Sequence, residues 1–119
     1  MTINNTKLKN MFKLSSKITV YVPSTININQ SINNTEHVDK IASLLSSCFG
    51  GATSTIALGY WESATDGLIK EKTTVIFAYC SDTDLQKHIE SVVEACEELK
   101  KDLNQEAIAL EINGDMYFI

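Results

Sequence analysis

Apolar and polar residues alternate from Ile18 to Val22: Ile18, Val20 and Val22 fall on one side, Thr19 and Tyr21 on the other, and Pro23 closes the run. A period of two predicts a strand, and a proline cannot donate to its ladder. The stretch ININQSINN that follows is polar and reads as a loop ending in a helix cap. The period then lengthens. In NTEHVDKIASLLSSCF, residues Val38, Ile41, Leu45, Cys48 and Phe49 recur at helical spacing. Asn34 or Thr35 is placed to cap this helix, Glu36 suits the positive end of its dipole, and Gly50-Gly51 ends it.

Two further strand patterns follow. In ATSTIALGYW, Ile56, Leu58 and Tyr60 share one face, and Thr53, Thr55, Ala57 and Trp61 share the other. ESATDGLIKE is the connection, with Asp66-Gly67 as its turn signal. KTTVIFAYC is apolar on both faces from Val75 to Cys80, which predicts a central strand covered on both sides. A long helix comes next, with Ser81 as cap and Leu85, Ile89, Val92, Val93, Cys96, Leu99 and Leu103 as its apolar stripe. Alternation returns at Ile108, Leu110 and Ile112, and Asn113-Gly114 offers a type I′ turn into DMYFI.

The resulting order is β-α-β-β-α-β-β. It predicts an α+β, ferredoxin-like two-layer sandwich: an antiparallel sheet with two helices on one face, the βαββαβ core extended by a C-terminal hairpin strand. The domain spans residues 17–119, and residues 1–16 form a flexible basic tail.

Length and composition fit this. The chain has 119 residues, 44% of them hydrophobic, enough for one core. Its start lacks a secretory pattern and no apolar run is long enough for a span, so a cytoplasmic protein without membrane contact is expected. Three cysteines without CxxC spacing read as buried free thiols. Charge is uneven: residues 1–20 carry four lysines and no acid, whereas residues 21–119 carry six lysines and fifteen acids, a net −9. Direct nucleic-acid binding by the acidic body is disfavoured. There is no arginine, which argues against bidentate phosphate or carboxylate recognition.

The candidate chemistry is sparse. Gly50-Gly51 follows a helix and precedes a strand, the reverse of a phosphate loop. Neither His37 nor His88 lies in an informative spacing with a nucleophile, so no catalytic residue, metal site or cofactor is assigned. One cluster stands out. GYWES and GLIKE bring Tyr60, Trp61, Glu62 and Glu71 to one hairpin. If the two glutamates face each other, one carboxyl acquires a raised pKa, as a general acid or base needs. A second cluster is charged: Glu90, Glu94, Glu97, Glu98 and Asp102 fall mostly on the outer face of the second helix, in a line that imitates phosphates.

The strings YVPST (21–25), FGGATST (49–55), GYW (59–61) and QEAIALEING (105–114) resemble an uncharacterised family of small bacterial, plasmid- and phage-borne proteins. The resemblance covers residues 17–119 and carries no catalytic residues. It implies a cytosolic accessory protein of a mobile element. Two functions follow as expectations. One is a non-catalytic binding protein, an inhibitor that docks its acidic surface on the basic surface of a host defence protein. The alternative is a small-molecule binder or small enzyme at the 60–71 hairpin. A homodimer through the open sheet face is expected under either.

Overall fold

The computed structural model describes residues 3–27 and 30–119. The alternating run at 18–22 is the middle of β1 (Ser16–Pro23), the centre of a five-stranded antiparallel sheet. Its neighbours are β5 (Gly67–Cys80) on one side and β6 (Ala109–Ile112) on the other. Outside β5 lies β4 (Thr53–Ser63), and outside β6 lies β7 (Asp115–Phe118), so the order is β4-β5-β1-β6-β7. The first four of these strands have the ferredoxin-like order, and β7 is the added edge.

The two long helices, α2 (Thr35–Phe49) and α3 (Asp82–Asp102), pack on one side of the sheet. Each crosses from one strand to a parallel one with a third strand between them. Right-handed crossovers of that kind put both helices on the same face. The even-numbered residues of β1, β5 and β6 point toward them. Ile18, Val20, Val22, Ile76, Ala78, Cys80 and Leu110 are therefore buried against Ile41, Leu45, Leu85, Val92, Cys96 and Leu99.

This geometry corrects the expectation for β5. Its odd-numbered side has no covering layer: Val75 and Phe77 are half-buried and Tyr79 is exposed. Those apolar residues mark the open face of a one-sided sheet. On that face Tyr21 Oη donates to Glu111 Oε1 at 2.8 Å, and Lys17 Nζ sits 4.5 Å from the centre of the Phe77 ring.

The ends of the elements follow the residues that signal them, with one exception. Ser81 Oγ accepts the Asp84 N–H, and Gly50 closes α2 at φ 91°. Asn113 and Gly114 both have positive φ (51° and 89°), as a type I′ turn requires. Asn113 also accepts the Lys17 N–H through Oδ1 at 2.8 Å and donates its own N–H to Lys17 O, which pins the hairpin to the start of β1. The exception is the start of α2. Asn34 is in the N-cap position, but its side chain turns away and donates to Val22 O and Pro23 O. Asn33 Oδ1 instead accepts the Thr35 N–H.

The expected loop after Pro23 contains two short paired strands, β2 (Thr25–Ile26) and β3 (Gln30–Ser31). Residues 28 and 29 of ININQSINN lie outside the described residues. In the N-terminal segment, Met1 and Thr2 lie outside them as well. Residues 3–15 are exposed throughout and include a single turn, α1 (Thr6–Lys9), capped by Asn5. β1 takes up the chain at Ser16, which is buried, one residue earlier than the expected start of the domain. The open face is therefore not sealed by residues 3–15.

Ile76, on β5 beside Val20 of β1, is fully buried beneath the helices. Ile76→Ala is expected to cost about 2–5 kcal/mol, measured by denaturant unfolding. A cost below about 1 kcal/mol would contradict the placement of the core.

Candidate functional site

β4 and β5 pair without a break from Thr53↔Phe77 to Ser63↔Gly67. β1 accompanies β5 only as far as Pro23↔Thr73. Beyond that point the hairpin continues as a two-stranded ribbon, and the molecule is 54 Å long for a width of 27 Å. The turn is tied by Ser63 Oγ, which accepts the N–H groups of Thr65 and Asp66. Gly67 takes φ 73° there, a conformation that disfavours a side chain.

The register decides which candidate residues meet. Directly paired residues of an antiparallel ladder share a face. Trp61 pairs with Ile69 and Gly59 with Glu71, so Trp61 and Glu71 share the open face. Glu62 pairs with Leu68 and Tyr60 with Lys70, on the opposite face. Glu62 and Glu71 therefore point away from each other, and the expected carboxylate pair does not form. The period of two is the reason: the positions differ by an odd number of steps around the hairpin. Tyr60 and Glu62 are separated from Trp61 and Glu71 for the same reason.

Trp61 and Glu71 instead line a groove of about 890 Å³ beside the free edge of β5. Its other wall is the segment after Pro23, with Ser24, Thr25 and Ser31; Ile69 also contributes, and Lys70 and Lys72 line it as well. The segment is held against the hairpin by Ser24 Oγ, which donates to Lys72 O at 2.7 Å. Gln105 supports it from behind, with Nε2 donating to Thr25 O at 3.0 Å. Thr25 is 7% exposed, and its Oγ1 has no hydrogen-bond partner among the described residues. An unpaired buried hydroxyl is costly.

The groove thus combines an aromatic ring, the carboxylates of Glu71 and Asp66, hydroxyls and two ammonium groups. Its size lies in the range of small-molecule sites. Ser24, Thr25, Ser31 and Ile69 had no periodic signal. The only local sign of the first two was a Ser-Thr pair directly after Pro23.

The acidic candidates are all on the surface of α3. Glu90, Glu94, Glu97, Glu98 and Asp102 are exposed. Lysines interrupt their line. Lys87 lies one turn before Glu90 and Lys101 three turns after it, on the same strip of the helix. Lys40 of α2 donates to Glu98 at 3.0 Å, which raises the lysine pKa; both groups are mostly exposed, so the pair adds little stability. Glu94, Glu98 and Asp102 share a groove of about 480 Å³ between the helices with His37 and Lys40. His37 and His88 are half-buried, and the His88 ring stands edge-on to Phe49 at 5.8 Å.

Among the described residues no group of His, Cys, Asp or Glu side chains is placed to hold a metal. No helix there is long and apolar enough to cross a membrane. All three thiols are free, and burial pushes their pKa values up. Cys96 is pushed furthest, from 9.0 to about 11, by burial first and by Glu97 second. Burial also raises the Tyr21 phenol, helped by Glu111.

No family model matches the chain and no curated protein matches it. Solved structures do. A phage SAM lyase in complex with S-methyl-5′-thioadenosine is similar over 92% of this chain and 94% of its own, at 18% identity and a TM-score of 0.64. The same kind of enzyme in its apo state gives a TM-score of 0.63 at 18% identity, with the same coverage. A Bacillus cereus protein related to NIF3 matches 87% of this chain and 25% of its own, with 17% identity and a TM-score of 0.52. At these identities the likeness establishes the α+β sandwich.

The Cys96 proton provides a pH test. The folded state holds it more tightly than the unfolded chain does, so its contribution is full below pH 9 and is lost as pH rises toward 11. The loss is at most about 3 kcal/mol. Denaturant unfolding between pH 7 and 10.5 is expected to show this decline, and Cys96→Ala is expected to flatten it while lowering stability at pH 7. An equally steep decline in the variant would contradict it.

Proposed function

We propose that this chain is a small enzyme that binds S-adenosylmethionine in the hairpin groove and cleaves it to S-methyl-5′-thioadenosine. The observation that carries the reading is the shared wall of Trp61 and Glu71 facing Ser24, Thr25 and Ser31. It is supported by the end-to-end likeness to a lyase of matching length whose structure holds that thioether nucleoside. The chemistry of the groove suits the ligand. An indole offers a stacking surface for adenine and attracts a cationic sulfonium. Hydroxyls suit a ribose. Glu71 lies on the same face of the ribbon as Trp61, where it meets the ammonium or sulfonium charge of the substrate. Cleavage breaks the bond between sulfur and the terminal carbon of the four-carbon chain: the electron pair passes to sulfur, which leaves as a neutral thioether, while the substrate's own carboxylate oxygen bonds to that carbon and closes it into a lactone.

The source of the neighbour also agrees with the phage and plasmid setting that the YVPST, FGGATST and GYW strings imply. Within that setting the second reading is a non-catalytic inhibitor that uses the α3 acids against a basic host protein. Its support is that all five acids are exposed; Lys40, Lys87 and Lys101 work against a continuous run of negative potential.

Incubation with S-adenosylmethionine, followed by mass spectrometry, separates the two. Release of S-methyl-5′-thioadenosine is expected, reduced at least ~10-fold in Glu71→Gln and Trp61→Ala and unchanged in Glu90→Gln. No release, together with Trp61 fluorescence that ignores both compounds, would overturn the enzyme reading. Salt-sensitive retention of one basic host protein by such an inactive chain would favour the inhibitor.

A further inference from the structure

We infer that the free edge of β4, with the ribbon it forms with β5, is an interface with another copy of this chain. The inference needs no bound ligand, although Leu58 and Trp61 also line the hairpin groove.

Among the described residues β4 has no neighbour on its outer side along its 11 residues. Strands left open in this way are normally protected by lysine, proline or a bulge. Thr53 to Trp61 contains no charge and no proline, and the unbroken register with β5 leaves no bulge. The ribbon also exposes apolar side chains on both faces. On the helix side of the sheet, Ile56 is 72% exposed, Leu58 50%, Tyr60 58% and Leu68 67%, because α2 and α3 lie over β1 and β5 and stop short of them. On the other face Trp61 is 43% exposed. Together these amount to on the order of 500 Å² of apolar surface, comparable with the largest patch of a typical monomer and more than half of what one partner buries in a standard interface. A two-stranded ribbon is marginal in water by itself, and here, among the described residues, only the segment after Pro23 supports it, on the β5 side.

Charge identifies the occupant. The body at residues 21–119 is strongly acidic, so two copies repel over most of their surface. The uncharged stretch of β4 is where they approach without that cost. Lys70 and Lys72 stand on the same face as Ile56, Leu58 and Tyr60, within reach of a neighbour's acids. A basic foreign partner would find no acid on β4 before Glu62. Main-chain pairing of a strand edge is self-complementary. β4 against β4 closes about a two-fold axis, and β4 against the short β7 edge of the next copy gives a ring where the rotation between copies closes.

Light scattering on the full chain at tens of micromolar is expected to give at least twice the 13.2 kDa chain mass. The double variant Ile56→Lys, Leu58→Lys alters only exposed side chains and is expected to fall to the chain mass with its circular dichroism unchanged. Hydrogen exchange on the unmodified protein reads the same edge: the outward amides of β4 are expected to be protected, and less so on dilution. A wild-type protein that scatters as a monomer, a folded double variant that keeps the wild-type mass, or outward β4 amides that exchange freely at every concentration would overturn the inference.

Discussion

The alternation of side chains across the sheet, fixed by β1, governs the rest of this molecule. β1 is hydrogen-bonded on both edges, and its even-numbered residues are completely buried under the helices. Slipping it by one residue would send Ile18, Val20 and Val22 to the open side and bring Lys17, Thr19 and Tyr21 under the helices. No packing of α2 and α3 would survive that exchange. The same two-residue rule passes through β5 to β4. There it sets Trp61 and Glu71 on one face and Tyr60 and Glu62 on the other. The core and the site are thus two consequences of one register.

Local patterning made most elements legible. The period-two run of β1, the helical stripes of α2 and α3, Ser81, Gly50 and the Asn113-Gly114 turn all lie where their residues place them, because each signal acts within a few positions. What stayed hidden depends on partners distant in sequence. Val75, Phe77 and Tyr79 look like core, yet both crossovers put their helices on the other side. Ile56, Leu58 and Tyr60 look like a buried face, yet β4 outreaches the helix layer. The separation of Glu62 from Glu71 needed the exact turn, since a change of one residue in the connection would have brought them to one side. The far wall of the groove was invisible, since Ser24, Thr25 and Ser31 approach the hairpin only through the Ser24 tie to Lys72 and the Gln105 bond to Thr25.

The site combines a rigid part and an adaptable part. Trp61, Ile69 and Glu71 stand on a ladder of main-chain hydrogen bonds, which holds their spacing. The opposing segment is short and is fastened at two points. A groove of that construction can close on a flat nucleoside without disturbing the core, in keeping with the division of labour between scaffold and loops. The free thiols and the Tyr21–Glu111 pair lie away from it and belong to the packing of the sheet. The acids of α3 are interleaved with lysines and, under the enzyme reading, serve solubility.

The central claim is that the Trp61–Glu71 groove receives a thioether or sulfonium nucleoside. Backbone amide shifts recorded during titration with S-methyl-5′-thioadenosine test it most directly. Saturable shifts concentrated at Ser24, Thr25, Trp61, Ile69 and Glu71 are the expected result. A spectrum that does not move, or one that moves only along the α2–α3 groove around His37, Lys40 and Glu94, would contradict it.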